Sequence, residues 1–279
     1  MSITPERVAT LEQTAKDIRK DIVRMLAHAG TGHTAGPLDM TDVFTVLYFY
    51  SLKHDPENPE WEERDRFVLS NGHIAPVLYA TMAHAGYFDI SKLNTLRELD
   101  SPLQGHPHRE SLPGVETSSG PLGSGLSQAV GMALANRMDN GITSGKYFYC
   151  FMGDGETQEG QIWEAAMLAG KHKLGNLICV VDRNNIQIDG YTEEVLPLEP
   201  YADKWEAFGF HVITVDGHNI EEIADAFDQG KAVFEKPTMI IARTISSKGV
   251  TPWERDYTWH GKPPKPEQVD MALDSIENN

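Results

Sequence analysis

The chain opens with a regular alternation of hydrophobic and polar residues. Across residues 5–28 the apolar positions recur at steps of three and four, the spacing that places them on one face of a helix. A second run, at residues 38–50, is more apolar throughout and is followed by prolines and charged residues. We therefore predict an amphipathic opening helix and then a second, more deeply buried helix.

Further along the chain the hydrophobic residues fall in short runs. The first predicted strand covers residues 66–70, and helical candidates cover 122–138 and 221–234. Four more strand-like runs occupy residues 147–152, 177–182, 212–215 and 238–242. This alternation predicts an α/β fold in which a mostly parallel sheet is flanked by helices on both faces. In such folds ligands bind at the carboxyl ends of the strands.

Composition narrows the possible classes of protein. With 279 residues and 40% hydrophobic content, one large core is possible, and we predict a single domain at residues 1–262 with a short tail at 263–279. The net charge of −17 argues against a nucleic-acid-binding surface. Cys150 and Cys179 lie inside apolar runs, which predicts buried thiols in a reducing compartment. A polar N-terminus and the lack of a membrane-length apolar stretch predict a cytoplasmic protein with no membrane partner.

Two short polar motifs follow predicted strands. Gly153-Asp154-Gly155 ends one run, and Asn184-Asn185-Ile186 follows the next. Two glycines let the backbone approach a phosphate closely, and the aspartate supplies a hard oxygen ligand. Mg²⁺ needs few protein ligands when a diphosphate supplies the others. Gly-Asp-Gly alone is an ordinary turn, but the pair of motifs predicts a site for Mg²⁺ and a diphosphate.

Residues 153–160 together with 182–190 resemble the diphosphate-binding motif of thiamine diphosphate enzymes, and of transketolases in particular. The resemblance implies that Asp154, Asn184 and the main-chain carbonyl of Ile186 hold Mg²⁺ or Ca²⁺. It also implies that Gly153 and Gly155 bind the cofactor, with the Gly155 amide meeting a phosphate. Thiamine diphosphate is the expected cofactor.

Four histidines in glycine-containing or loop-like contexts extend this resemblance. By analogy with transketolases, His33 and His260 would transfer protons at the cleaved carbon and at the acceptor aldehyde, and His260 would also contact the cofactor. His106 would bind the C1 hydroxyl of the ketose, and His73 would lie near the diphosphate. Many relatives have proline after the first histidine, whereas Thr34 stands here, which leaves the shape of that loop open.

Other parts of the chain resemble the family less specifically. In the glycine-rich segment 119–126, Gly120 and Leu122 would contact the aminopyrimidine ring. Glu159 would bind near the cofactor and, with Glu164, join a carboxylate network between two active sites, although both could be solvated helix charges. Lys248 lies in a segment that covers the cofactor in the family and could bind phosphate or face solvent.

The resemblance covers nearly the whole chain, yet a full transketolase is more than twice as long. The pyrimidine-binding and C-terminal domains are not in this sequence, and with them go the cofactor-activating glutamate and the arginines that grip the sugar phosphate. We therefore expect the N-terminal subunit of a split transketolase, active only when it joins a C-terminal subunit in a heterotetramer of two plus two. Such an enzyme transfers a two-carbon ketol unit from a ketose phosphate to an aldose phosphate through a dihydroxyethyl adduct of the cofactor.

Three alternatives stay open at this point. The alpha subunit of a 2-oxoacid dehydrogenase shares the Gly-Asp-Gly motif and the split organisation, but Gly105-His106-Pro107 favours ketose chemistry. Deoxyxylulose-phosphate synthase shares more of the region, although it is normally one long chain. A nonenzymatic module that retains the cofactor fold is the third. A nicotinamide-dependent dehydrogenase is disfavoured because no Gly-x-Gly-x-x-Gly follows an early strand. The particular sugars and the pathway, including the pentose phosphate route, are not determined by the sequence.

Overall fold

A parallel five-stranded sheet forms the centre of the computed structural model, which describes residues 3–141 and 145–279. Its strands are β1 (Arg66–Leu69), β2 (Phe148–Gly153), β3 (Leu177–Arg183), β6 (His211–Asp216) and β7 (Thr238–Arg243). A separate antiparallel hairpin consists of β4 (Ile186–Gln187) and β5 (Gly190–Tyr191). The order in the large sheet is β1-β2-β3-β7-β6, and every neighbouring pair is parallel. The five predicted strands are confirmed to within one or two residues at each end.

Ten α-helices accompany the strands in the described part of the chain. They are α1 (Pro5–Ala29), α2 (Ala35–Asp39), α3 (Thr41–Val46), α4 (Ala75–His84), α5 (Ser124–Asn140), α6 (Gly160–Lys171), α7 (Thr192–Val195), α8 (Tyr201–Ala207), α9 (Ile220–Ala232) and α10 (Val269–Asn278). The helices predicted at 5–28, 122–138 and 221–234 correspond to α1, α5 and α9.

The second predicted helix is divided rather than continuous. Residues 38–50 fall into α2, α3 and one π-helical turn at Leu47–Ser51. The hydroxyls of Thr41 and Thr45 donate to carbonyl oxygens four residues earlier, a contact that bends helices. The spacing of apolar residues could not reveal this division, because the whole run is buried.

Hydrophobic side chains pack on both faces of the sheet. Along β2, Tyr149 and Phe151 enter the core cluster beneath α1, α3, α4 and α9. Phe148, Cys150 and Met152 point the other way, into the cluster that contains side chains of α5, α6 and α8. The predicted α/β fold with helices on both faces is therefore confirmed.

The last residues of the chain form α10, which packs against α1. Its Ala272 and Ile276 are buried, so part of the segment predicted as a tail contributes to the core. Cys150 and Cys179 are buried free thiols. Within the described ranges, no helix combines the length and the apolar composition needed to cross a membrane.

Candidate functional site

The two polar motifs meet at the carboxyl edge of the sheet because β2 and β3 are parallel neighbours. Gly153 lies opposite Asp182 in the strand register, and the Asp154 N–H donates to the Asp182 carbonyl over 3.1 Å. A cavity of about 360 Å³ opens at this edge. Of the predicted site residues, those that line it are His33, His73, His106, Gly120, Leu122, Gly153, Asp154, Gly155, Asn184, Ile186 and His260.

Asp154 is buried and closely surrounded by donors. One carboxylate oxygen accepts from the Gly155 N–H at 2.7 Å. The other accepts from the Arg183 guanidinium at 2.9 Å and from the Asn185 N–H at 2.8 Å. Burial raises the pKa of Asp154 to about 6, although Arg183 opposes that shift. Because a carboxylate has about four acceptor positions, these three bonds leave it room for one cation.

Asn184 is fixed by two acidic side chains that the sequence analysis did not identify. Its Nδ2 donates to Asp39 and to Asp182, each over 2.9 Å. Its Oδ1 accepts from the Ile186 N–H over 3.0 Å, which orients the amide oxygen at the edge of the cavity. Burial raises the pKa values of Asp39 and Asp182, and charge repulsion adds to both shifts.

Three of the imidazoles that line the cavity form a cluster. The ring centroids of His33 and His73 are 4.8 Å apart, and His260 lies 5.5 Å from the first and 5.3 Å from the second. Burial, then the positive potential of neighbouring histidines and Arg97, lowers the pKa of His33 to about 4. Burial also lowers the pKa values of His73 and His260. These side chains are therefore neutral near pH 7, when each ring has one donor and one acceptor nitrogen.

Thr34 shows what replaces the proline found in many relatives. Its hydroxyl donates to the Lys262 carbonyl over 2.6 Å, and α2 begins at the next residue. This bond joins the loop that contains His33 to the segment that contains His260. A proline has no hydroxyl with which to make that connection.

A buried glutamate supports the glycine-rich loop. Glu156 accepts hydrogen bonds from the Ser70 hydroxyl and from the Gly123 and Gly153 N–H groups. Burial raises its pKa to about 7. Glu156 therefore connects β1, β2 and the loop before α5. Only its proximity to Asp154 in the sequence could have indicated such a role.

Three predicted residues lie outside this cavity. Glu159 precedes the first residue of α6 and is exposed, as is Glu164 on the same helix. Lys248 is half-buried and lines two other cavities. Conversely, Gly36, Asn71, Glu156, Asp182, Gln187 and Ile188 line the cavity without having been predicted. Glu156, Asp182, Gln187 and Ile188 lie within the motif segments 153–160 and 182–190 without having been assigned a role, whereas Gly36 and Asn71 reach the cavity only through the folding of the chain.

Several features of the cavity suit a diphosphate cofactor. Asn71 Oδ1 and the Nδ1 atoms of His33 and His260 are buried without a hydrogen-bond partner, so they can accept or donate to a bound molecule. No cluster of three or more histidine, cysteine or acidic side chains arranged as a metal site occurs in residues 3–141 and 145–279. The predicted metal ligands include only one carboxylate, so an octahedral ion would require oxygens from the diphosphate as well.

Fold and site together define an α/β cofactor-binding protein whose site lies at the carboxyl edge of a parallel sheet. Residues 10–276 match the family described as transketolase, thiamine diphosphate binding domain. The chain therefore belongs to the transketolase family.

Similar proteins include both separate subunits and longer single chains. The chain is 44% identical to a 6-deoxy-6-sulfo-D-fructose transketolase subunit from Clostridium sp. (strain MSTE9), with 98% of each chain covered. It is 40% identical to an apulose-4-phosphate transketolase subunit from Phocaeicola vulgatus, covering 97% of this chain and 95% of that one. Human transketolase is 36% identical, and the matched region spans 97% of this chain but only 42% of that protein.

A crystal structure of Campylobacter jejuni transketolase has the same fold. It superimposes with a TM-score of 0.90 at 37% identity, and the match covers 97% of this chain and 43% of that chain. The chain thus spans less than half the length of the single-chain transketolases and nearly the full length of the subunits.

Proposed function

We propose that this chain is the N-terminal subunit of a split transketolase, which transfers a two-carbon ketol unit from a ketose to an aldose together with a partner chain. The observation that carries the proposal is that one cavity contains both the Asp154 and Asn184 motifs and the histidine cluster. The motifs alone would suit any thiamine diphosphate enzyme, but the histidines suit a substrate rich in hydroxyl groups. The two full-length relatives described above are named as transketolase subunits.

The cavity residues divide the binding of thiamine diphosphate between them. Asp154, Asn184 and the carbonyl of Ile186 would hold Mg²⁺, and Gly155 and His73 would face the diphosphate. The Gly155 N–H, which here donates to Asp154, would exchange that bond for one to a phosphate oxygen. Gly120 and Leu122 would contact the aminopyrimidine ring, and Glu159 stays a more distant candidate. When bound, this cofactor supplies the electron sink that allows the ketose carbon–carbon bond to break.

The histidines handle protons and hydroxyl groups. Because His33 and His260 are neutral near pH 7, each can accept a proton from a substrate hydroxyl and return it in the reverse direction. His106 lies at the exposed rim of the cavity, where it can bind the C1 hydroxyl of the ketose. The mutual packing of the His33, His73 and His260 rings, with centroids 4.8–5.5 Å apart, fixes the imidazoles that would face the substrate.

A partner chain is needed to complete the site. Two apolar side chains of the cavity wall are left exposed, Ile188 by 65% and Leu122 by 37%. The partner would be a C-terminal subunit with the pyrimidine-binding domain, in a heterotetramer of two plus two. We place this assembly in the cytoplasm. The sugar is not assigned, since the relatives are named for different ones.

Assays of the purified chain with and without its C-terminal partner test this function. With thiamine diphosphate and Mg²⁺ present, and a panel of ketose donors that includes xylulose 5-phosphate and erythrulose, we expect ketol transfer only when both chains are mixed. Robust turnover by the isolated chain would contradict the partner requirement. Condensation of pyruvate with glyceraldehyde 3-phosphate, without ketol transfer, would instead identify a deoxyxylulose-phosphate synthase.

A further inference from the structure

Arg97 lies between the loops that bear two of the cavity histidines. Its Nη1 donates to the hydroxyl of Thr31 over 3.2 Å, two residues before His33. On the other side, a Cβ atom built on Gly105 would lie 2.9 Å from the guanidinium carbon, one residue before His106. The guanidinium therefore contacts both loops next to their histidines.

The backbone at Arg97 adopts a conformation that non-glycine residues rarely take. Its φ is +62°, in the left-handed region that carries a steric penalty for an L-residue. The Arg97 N–H donates to the Leu103 carbonyl over 2.9 Å, which holds the strained position in place. Strain of this kind persists where the surrounding structure enforces it, and it is concentrated at functional sites.

The positive charge of Arg97 is not neutralised by a neighbour. In the described ranges no carboxylate forms an ion pair with it, although Glu98 and Asp100 line the same outer cavity of about 850 Å³. Glu98 lies 3.5 Å from His28 instead. The field of Arg97 reaches the site, because it contributes to the lowered pKa values of His33 and His106.

We propose that Arg97 forms a subsite for the anionic end of the acceptor aldose, either a phosphate monoester or a sulfonate. The inference rests on the proposed function, which places the acceptor aldehyde beside His33. A guanidinium fork matches the tetrahedral oxygens of either group. This chain would then contribute its own cation to substrate selection, in addition to arginines of the partner. Gly105 provides the space that the guanidinium occupies.

The test compares two acceptors that differ only by a phosphate group, using the complex with the partner chain and the uncharged donor erythrulose. For Arg97→Gln we expect the KM for glyceraldehyde 3-phosphate to rise about tenfold, the scale of one lost charge-assisted hydrogen bond. The kcat/KM for glyceraldehyde should fall much less than that for glyceraldehyde 3-phosphate, because it changes only through the altered pKa values of His33 and His106. A second series of assays uses as acceptor the sulfonate analogue of glyceraldehyde 3-phosphate with the same chain length. A raised KM for only one of the two anions would assign the subsite to that group.

Three further variants separate recognition from structure. Arg97→Lys should restore part of the lost affinity, since it keeps the charge without the fork. Gly105→Ala should displace the guanidinium and reproduce the selectivity change while the charge remains. Lys92→Gln removes an exposed positive charge nearby, and it should leave the ratio between acceptors unchanged. Thermal melting of each complex confirms that it is folded.

The outcomes are distinguishable. If the wild-type complex transfers ketol units but Arg97→Gln weakens both acceptors equally, or neither, the subsite is wrong and the function stands. If the wild-type complex uses neither acceptor with any ketose donor, the proposed function and this inference fall together.

Discussion

His33 is kept neutral by its surroundings, and this has a consequence for stability. Its pKa falls from 6.5 to about 4 on folding, so the unfolded chain takes up a proton first as the pH drops. Folded-state stability attributable to His33 is therefore present above pH 6.5 and is lost between pH 6.5 and about 4.

Replacing His33 with Asn should flatten this pH dependence. Between pH 7.5 and pH 5 we expect the wild-type chain to lose about 1–2 kcal/mol more unfolding free energy than the variant. Urea denaturation of the isolated chain at several pH values measures the difference. The other histidines titrate in both proteins, so the difference reports His33 together with its effect on the pKa of the neighbouring His73. Parallel stability profiles would show that its pKa is not depressed.

Asp154 is the residue on which the metal assignment depends. In the assembled complex, Asp154→Ala should weaken Mg²⁺-dependent binding of thiamine diphosphate by at least about 100-fold, since even residues that only support metal ligands cost 10–100-fold when changed. Calorimetric titration measures this. Asp189→Asn is a matched control, because Asp189 is exposed in the nearby hairpin and should leave the affinity unchanged. An unaltered affinity in Asp154→Ala would remove Asp154 from the metal site.

At the scale of elements, local sequence patterns predict the strands but not the side-chain contacts between segments. The strands were predictable because short apolar runs are a local signal. The meeting of Asp154 with Asn184 was predictable as well, because parallel neighbouring strands bring their carboxyl ends together. The bond from Arg183 to Asp154 was not predictable, because apolar runs say nothing about the partners of a polar side chain, and Asp39 was not, because its contact with Asn184 joins distant segments of the chain. The Asp39 side chain reaches Asn184 across 145 positions of sequence.

Helix α5 offers a test of how closely the glycine-rich segment packs. A Cβ atom on Gly125 would lie 2.5 Å from the Ser70 side chain and 2.6 Å from its Cα, whereas one on Gly131 would meet nothing within 4 Å. Gly125→Ala should therefore lower the unfolding free energy by about 1–3 kcal/mol, the usual effect of overpacking. Gly131→Ala should raise it by about 0.5–1 kcal/mol through helix propensity.

Thermal denaturation of both variants and the wild type tests whether Gly125→Ala lowers the stability and Gly131→Ala raises it. Both substitutions add one methyl group to the same helix, so the effect of helix propensity that they share cancels when the two variants are compared with each other. Equal stabilisation by both changes would mean that α5 does not approach β1 as closely as described.

At the scale of the whole molecule, the last helix packs against the first. Helix α10 packs on α1 and buries Ile276 to 1% exposure, while Met271 on the same helix is 38% exposed. An ion pair of 2.5 Å between Lys20 and Glu277 also spans the two helices. Residues 263–279 were predicted to be a tail, because they begin with a proline-rich stretch at 263–266 and the helix is too short for its pattern to reveal a partner.

If α10 belongs to the cooperative fold, Ile276→Ala should lower the unfolding free energy of the whole chain by about 2–4 kcal/mol, as buried large-to-small changes do. Met271→Ala should stay within about 0.5 kcal/mol. Urea denaturation, monitored by near-ultraviolet circular dichroism, reports on the aromatic residues of the core, many of which, such as Tyr149 and Trp205, lie far from α10 in sequence. If the core signal shows a loss of stability for Ile276→Ala but not for Met271→Ala, the domain extends past residue 262. Equal, small effects of both changes would instead mean that α10 unfolds separately, and the boundary at 262 would hold.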